Sequence, residues 1–122
     1  MKLVAAVAIG GAIGSVARYL LTLGLARWLG PSFPWGTLAV NGVGTLILGV
    51  VVGVATVDPR LSPTAKAAIG TGFCGGFTTF STFSIETLRM PLSTAAINVG
   101  ANLAVSLAGG AIGLGLARLL RP

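Results

Sequence analysis

Four long apolar runs follow one another with almost no charge inside them, and this pattern constrains the chain more than any other feature. They cover about residues 3–25, 35–57, 65–88 and 94–117, each of 20 residues or more. A helix rises about 1.5 Å per residue, so each run is long enough to cross a hydrocarbon core roughly 30 Å thick. Hydrophobic residues make up 54% of the chain and charged residues 8%, whereas a soluble domain carries about a quarter charged residues. A water-soluble fold of this length exposes much of its surface, and eight basic and two acidic side chains cannot coat it. The sequence predicts an all-α integral membrane protein, a single multi-pass domain of four transmembrane helices over residues 1–122.

The connectors are short and breaker-rich: Gly30-Pro31-Ser32 with Pro34, then Asp58-Pro59-Arg60-Leu61-Ser62-Pro63, then Arg89-Met90-Pro91-Leu92-Ser93. Lys2 before the first run imitates the start of a signal peptide. The length of that run, Arg18 within it and three comparable runs after it read instead as a span. Spans joined this tightly leave no room for a catalytic head, so an enzyme is not expected. A single cysteine, Cys74, and no histidine exclude an internal disulfide and a His- or Cys-rich metal cluster. The net charge of +6 is carried by basic residues placed singly between apolar runs, which is no phosphate footprint, so no nucleic-acid partner is expected. Lys2, Arg60, Lys66, Arg118 and Arg121 fall on the side of the two termini, against Arg27 and Arg89 on the other, or three if Arg18 is counted there. That modest bias favours cytoplasmic termini.

Glycine is abundant, at 19 residues, and small residues let helix backbones approach closely in lipid. The string Gly10-Gly11-Ala12-Ile13-Gly14 recurs as Gly109-Gly110-Ala111-Ile112-Gly113, which reads more readily as shared packing chemistry than as duplication.

Polar side chains inside spans cost free energy unless partnered. Arg18 either snorkels to the interface or anchors a polar interior and attracts an anion. Thr37, Asn41 and Thr45 share one face of the second span by their spacing of four, and Asn98, Asn102 and Ser106 share one face of the fourth. Two stripes bearing amides and hydroxyls serve either interhelical hydrogen bonds or a narrow hydrated path rich in donors, which suits an anion at least as well as a cation. In the third run, Gly70-Thr71-Gly72-Phe73-Cys74-Gly75-Gly76-Phe77-Thr78-Thr79-Phe80-Ser81-Thr82-Phe83-Ser84 is poor helix interior and favours a break over the continuous helix that a span can also tolerate. A break frees backbone groups that protein, water or an ion must satisfy, and discontinuous spans build ion sites in this way. Phe77, Phe80 and Phe83, spaced by three, form either a packing stripe or a set of rings whose electropositive edges face a small anion. Glu86 is placed to pair with Arg89 at i+3 or to serve a pore mouth.

The string Gly75-Gly76-Phe77-Thr78-Thr79-Phe80-Ser81-Thr82-Phe83 resembles the signature of the CrcB/Fluc fluoride channel family. Gly14 with Arg18-Tyr19, Asn41-Gly42 with Gly44, the breaker-rich first connector, and Asn98 with Asn102 also fit its pattern, so the resemblance spans essentially the whole chain. It implies an antiparallel, dual-topology homodimer in a bacterial or archaeal plasma membrane, exporting fluoride passively from the cytoplasm. It further implies a structural sodium ion at the dimer centre, held by backbone carbonyls that map onto Gly75 and Thr78. The phenylalanines of the fluoride route map onto Phe80 and Phe83, the polar track onto Asn41 and Ser106, the vestibule onto Thr37, and the acid of the pore onto Glu86. Arg18 matches the family's first-span arginine, and Ser81, Thr82 and Asn102 complete the expected ion pathway. Gly110 stands where the family's track carries a hydroxyl, which thins the track at that level. Two other classes compete. A small four-span multidrug or cation transporter normally needs an acid early in span one, where this chain has only Arg18. A non-conducting assembly subunit would have no need of the amide and hydroxyl stripes.

Overall fold

The computed structural model describes residues 1–57 and 61–120. The expected turn at Asp58-Pro59-Arg60 and the C-terminal Arg121 and Pro122 lie outside the described residues, and with them two of the orienting charges. Helix α1 spans Lys2–Leu29 and ends at Gly30, whose φ of 78° is a left-handed value that a side chain would strain. The Gly30 N–H closes on the Ala26 carbonyl at 3.0 Å, and Pro31 and Pro34 prevent the helix from continuing. The helix therefore runs past the expected end of the first span, and Arg27 sits in its last turn. Helix α2 spans Trp35–Val57. A short α3, Pro63–Lys66, starts at Ser62, whose Oγ accepts the Ala65 N–H at 3.1 Å while Pro63 occupies the first helical position.

The chain then widens into π-type turns over Ala67–Cys74, tightens into a single turn α4 at Gly75–Phe77, and breaks. Thr78 (φ −79°, ψ 160°) and Thr79 (φ −153°, ψ 116°) are extended, and helix α5 resumes at Phe80–Leu88. The break predicted from the glycine-and-threonine string is thus present, two residues long and located at the two threonines. Thr79 caps α5 by accepting the Thr82 N–H on its hydroxyl at 3.2 Å. Helix α6 spans Leu92–Leu119. Among the described residues, three helices are long and apolar enough to cross a membrane, Lys2–Leu29, Trp35–Thr56 and Leu92–Leu119, and the remaining apolar run is the bent one.

Glycine fixes the packing. A Cβ at Gly10 would run into the Ala68 carbonyl, and one at Gly14 into the Phe73 carbonyl. One at Gly72 would lie 2.8 Å from the Val7 carbonyl, so α1 rests directly on the backbone of the bent segment. Gly49, Gly109 and Gly113 do the same between α2 and α6. The two copies of the glycine string therefore serve one purpose in two different interfaces, backbone-to-backbone approach. What this encloses is unusually polar: Val40, Cys74, Phe77 and Ala117 are buried together with Thr37, Thr79, Asn98 and Asn102. Large apolar side chains such as Ile9, Leu107 and Leu119 point outward. Apolar exterior and hydrogen-bonded interior are what a hydrocarbon solvent demands.

Candidate functional site

Asn41 braces the break at Thr79. Asn41 Oδ1 accepts the Thr79 N–H at 2.8 Å, and Asn41 Nδ2 donates to the Thr79 carbonyl at 3.2 Å and to Asn102 Oδ1 at 3.0 Å. An amide side chain here replaces the neighbouring strand that extended backbone normally needs. Asn102 Nδ2 donates in turn to Asn98 Oδ1 at 2.9 Å and to the Asn98 carbonyl at 3.1 Å, and both residues are buried. The polar faces read on α2 and α6 are thus joined directly through Asn41 and Asn102.

The break also leaves carbonyls without their helical donors, those of Gly75 and Thr78 among them. The Thr79 N–H, which in an unbroken helix would reach the Gly75 carbonyl, goes to Asn41. The Thr82 N–H, the helical donor for Thr78, goes to Thr79 Oγ1. Arg18 Nη1 reaches the Thr78 carbonyl at 3.4 Å, so the charge in the middle of α1 lies against the break. Gly75 has open space where a Cβ would stand. These are hard oxygen donors, the kind that suits a cation such as sodium. One chain offers too few of them to fill a coordination shell.

Beside the break lies a cleft of about 290 Å³ lined by Asn41, Thr45, Thr78, Thr79, Phe80, Phe83, Asn102 and Ser106, with Leu48 and Leu103. Phe80 and Phe83 meet with ring centroids 5.6 Å apart and planes tilted by 49°. Phe77 does not join them: it is buried and stacks on Phe73 at 5.3 Å. Spacing by three places residues on one face only in a continuous helix, and the extended Thr78-Thr79 pair turns Phe77 away from the other two. Helix α5 begins at the cleft, so its N-terminal partial positive charge and the Arg18 guanidinium both favour an anion there.

The other expected residues are placed as follows. Ser81 and Thr82 gather on Thr79 Oγ1, at 3.4 and 3.0 Å. Thr37 is fully buried and lines a separate cavity of about 370 Å³ together with Glu86, Arg89 and the first connector. Glu86 and Arg89 form no salt bridge, and Glu86 Oε2 is buried without a hydrogen-bond partner, so the i+3 pairing is not made. The backbone keeps the i+3 placement, with the Arg89 N–H on the Glu86 carbonyl at 3.2 Å, but the two side chains do not meet. A Cβ at Gly110 would lie 3.3 Å from the Thr45 methyl group. Sequence reasoning missed Thr87, which accepts from Asn98 Nδ2 at 2.8 Å and donates to the Phe83 carbonyl at 2.7 Å. The signal was present in the spacing of Thr87 four residues after Phe83, which places its hydroxyl one helical turn from that carbonyl.

Fold and site together define a multi-pass helical membrane protein whose interrupted helix is braced by buried amides beside an aromatic, hydroxyl-lined cleft. The chain belongs to the CrcB-like family: residues 5–117 match the family model described as CrcB-like protein, Camphor Resistance (CrcB). It is 42% identical over 124 residues to the fluoride-specific ion channel FluC of Geobacter sulfurreducens, covering 98% of this chain and 100% of that one. It is 45% identical to the fluoride-specific ion channel FluC of Agrobacterium fabrum, covering 96% and 97% of the two chains. It is 52% identical over 85 residues to that of Nitrobacter winogradskyi, covering 70% and 68%.

Proposed function

We propose that this protein is a fluoride-selective passive channel that exports fluoride from the cytoplasm. The observation that carries the reading is the cleft, where the Phe80–Phe83 ring pair, Ser106 and the break meet beside the Arg18 charge. The fluoride-specific relatives of nearly full length support it. Fluoride sheds its water reluctantly, so its path must return hydroxyl donors and electropositive ring edges in place of that water. Both Asn41 Nδ2 bonds go to protein acceptors, and the Thr45, Thr78 and Thr79 hydroxyls donate within the protein, which leaves the direct contacts to the Ser106 hydroxyl and the rings while Asn41 fixes the wall. Thr37 and Glu86 line the cavity that would form the vestibule.

In this reading the bent run crosses the membrane as a fourth span, with Pro63–Phe77 and α5 entering from opposite sides. The single domain then works as an antiparallel homodimer in the lipid bilayer. Two chains facing each other double the released carbonyls of Gly75 and Thr78, which would together hold a structural sodium ion. Its charge would stabilise the interface and raise the local potential for anions.

Purified protein in liposomes loaded with potassium fluoride tests the function. With a potassium ionophore added, fluoride should leave rapidly and chloride far more slowly. Equal efflux of the two halides, or none of either, rejects the reading.

A further inference from the structure

The hydrogen bonds around the break do not stop at Asn102; they continue through α6 and return to α5. The Thr79 N–H donates to Asn41, Asn41 to Asn102, Asn102 to Asn98, Asn98 to the Thr87 hydroxyl, and Thr87 to the Phe83 carbonyl. The direction is forced. An N–H at one end can only donate and a carbonyl at the other can only accept, so every amide and the hydroxyl between them has one allowed orientation. Aligned chains of this kind polarise and strengthen one another in a low-dielectric interior. The chain leaves from the cap of α5, passes through α2 and α6, and returns to α5 at Thr87, whose hydroxyl bonds back one turn to the Phe83 carbonyl. Asn98 is wholly buried, and only Thr87 takes up its amide donor.

We infer that Asn98 and Thr87 are positioning residues of the ion pathway, which hold the Phe83 backbone, and with it the Phe80–Phe83 ring pair, at the spacing that discriminates fluoride from chloride. This rests on the fluoride reading above. Neither residue lines the cleft. They act through the carbonyl of a residue that does.

Thr87→Val keeps the branched shape and removes both hydrogen bonds, whereas Thr87→Ser keeps the hydroxyl. In liposomes, Thr87→Val should lower the fluoride-to-chloride efflux ratio about tenfold, the scale set by orphaning a buried donor, and Thr87→Ser should restore it. With 4-fluorophenylalanine placed at position 83, the ¹⁹F resonance should move in Thr87→Val and return in Thr87→Ser. An unchanged efflux ratio and an unmoved resonance in Thr87→Val overturn the inference. If Thr87→Val does not assemble, Thr87→Ala carries the same comparison, and failure of both to assemble assigns the pair to folding alone and also overturns it. A wild-type protein that passes no fluoride rejects the functional reading instead, while the resonance still decides whether Thr87 positions Phe83.

Discussion

The Asn41 side chain grips Thr79 at two points, accepting its N–H at 2.8 Å and donating to its carbonyl at 3.2 Å. Thr79 is only 6% exposed, so water is not at hand to replace either bond. Asn41→Leu, close in size, would orphan both backbone groups at about 1–3 kcal/mol each. We expect a clear loss of thermal stability in detergent, by several degrees or more, together with loss of fluoride flux. An unchanged melting temperature would show that the break is held by something other than this amide.

Phe80→Ile and Phe83→Ile should each reduce fluoride efflux sharply, by tenfold or more on the scale of about 1.4 kcal/mol per decade. Isoleucine keeps apolar bulk but has no electropositive ring edge to offer an anion. The Phe77→Ile change should act differently. It removes a ring stacked on Phe73 in the interior, so it should lower stability before it alters selectivity. Efflux and thermal unfolding measured on all three variants separate the two roles.

Gly14→Ala should be severely disruptive, because the new methyl group would collide with the Phe73 backbone, which cannot swing aside as a side chain would. Overpacking of this kind costs about 1–3 kcal/mol or more. Gly24→Ala, in the same helix, meets nothing within 4 Å and should be neutral or slightly stabilising. Yield of assembled protein on size exclusion and its melting temperature are the measurements.

Prolonged dialysis into buffer in which N-methylglucamine replaces sodium should reduce fluoride efflux or loosen the proposed dimer, with recovery on return of sodium. The expectation follows from the carbonyls at Gly75 and Thr78, whose helical donors are diverted to Asn41 and to Thr79 Oγ1. Full activity and an intact dimer after such dialysis would remove the ion from the account.

Much is legible in the chain itself. Apolar length with scarce charge sets the class, because hydrocarbon admits only segments that satisfy their own backbone. The glycine-and-threonine string marks the break, because those residues give a helix little to lose. Spacing of four sets Asn41 with Thr37 and Thr45, and Asn102 with Asn98 and Ser106, and such periodicity is a local property of one helix.

What the residues could not state is which donor meets which acceptor across helices. Asn41 on α2, Asn102 on α6 and Thr79 in the break are joined only once Gly49, Gly109 and Gly113 have brought two backbones together. The same holds for Arg18 on Thr78, for Asn98 on Thr87, and for the Glu86–Arg89 pair that does not close. Phe77 shows the limit most plainly. A count of three from Phe80 holds within one helix, and the two extended threonines between them end that helix and send the ring elsewhere. Sequence periodicity is set by the covalent chain, whereas the hydrogen-bond partners of buried amides are set by helix approach, and that exists only in the folded protein.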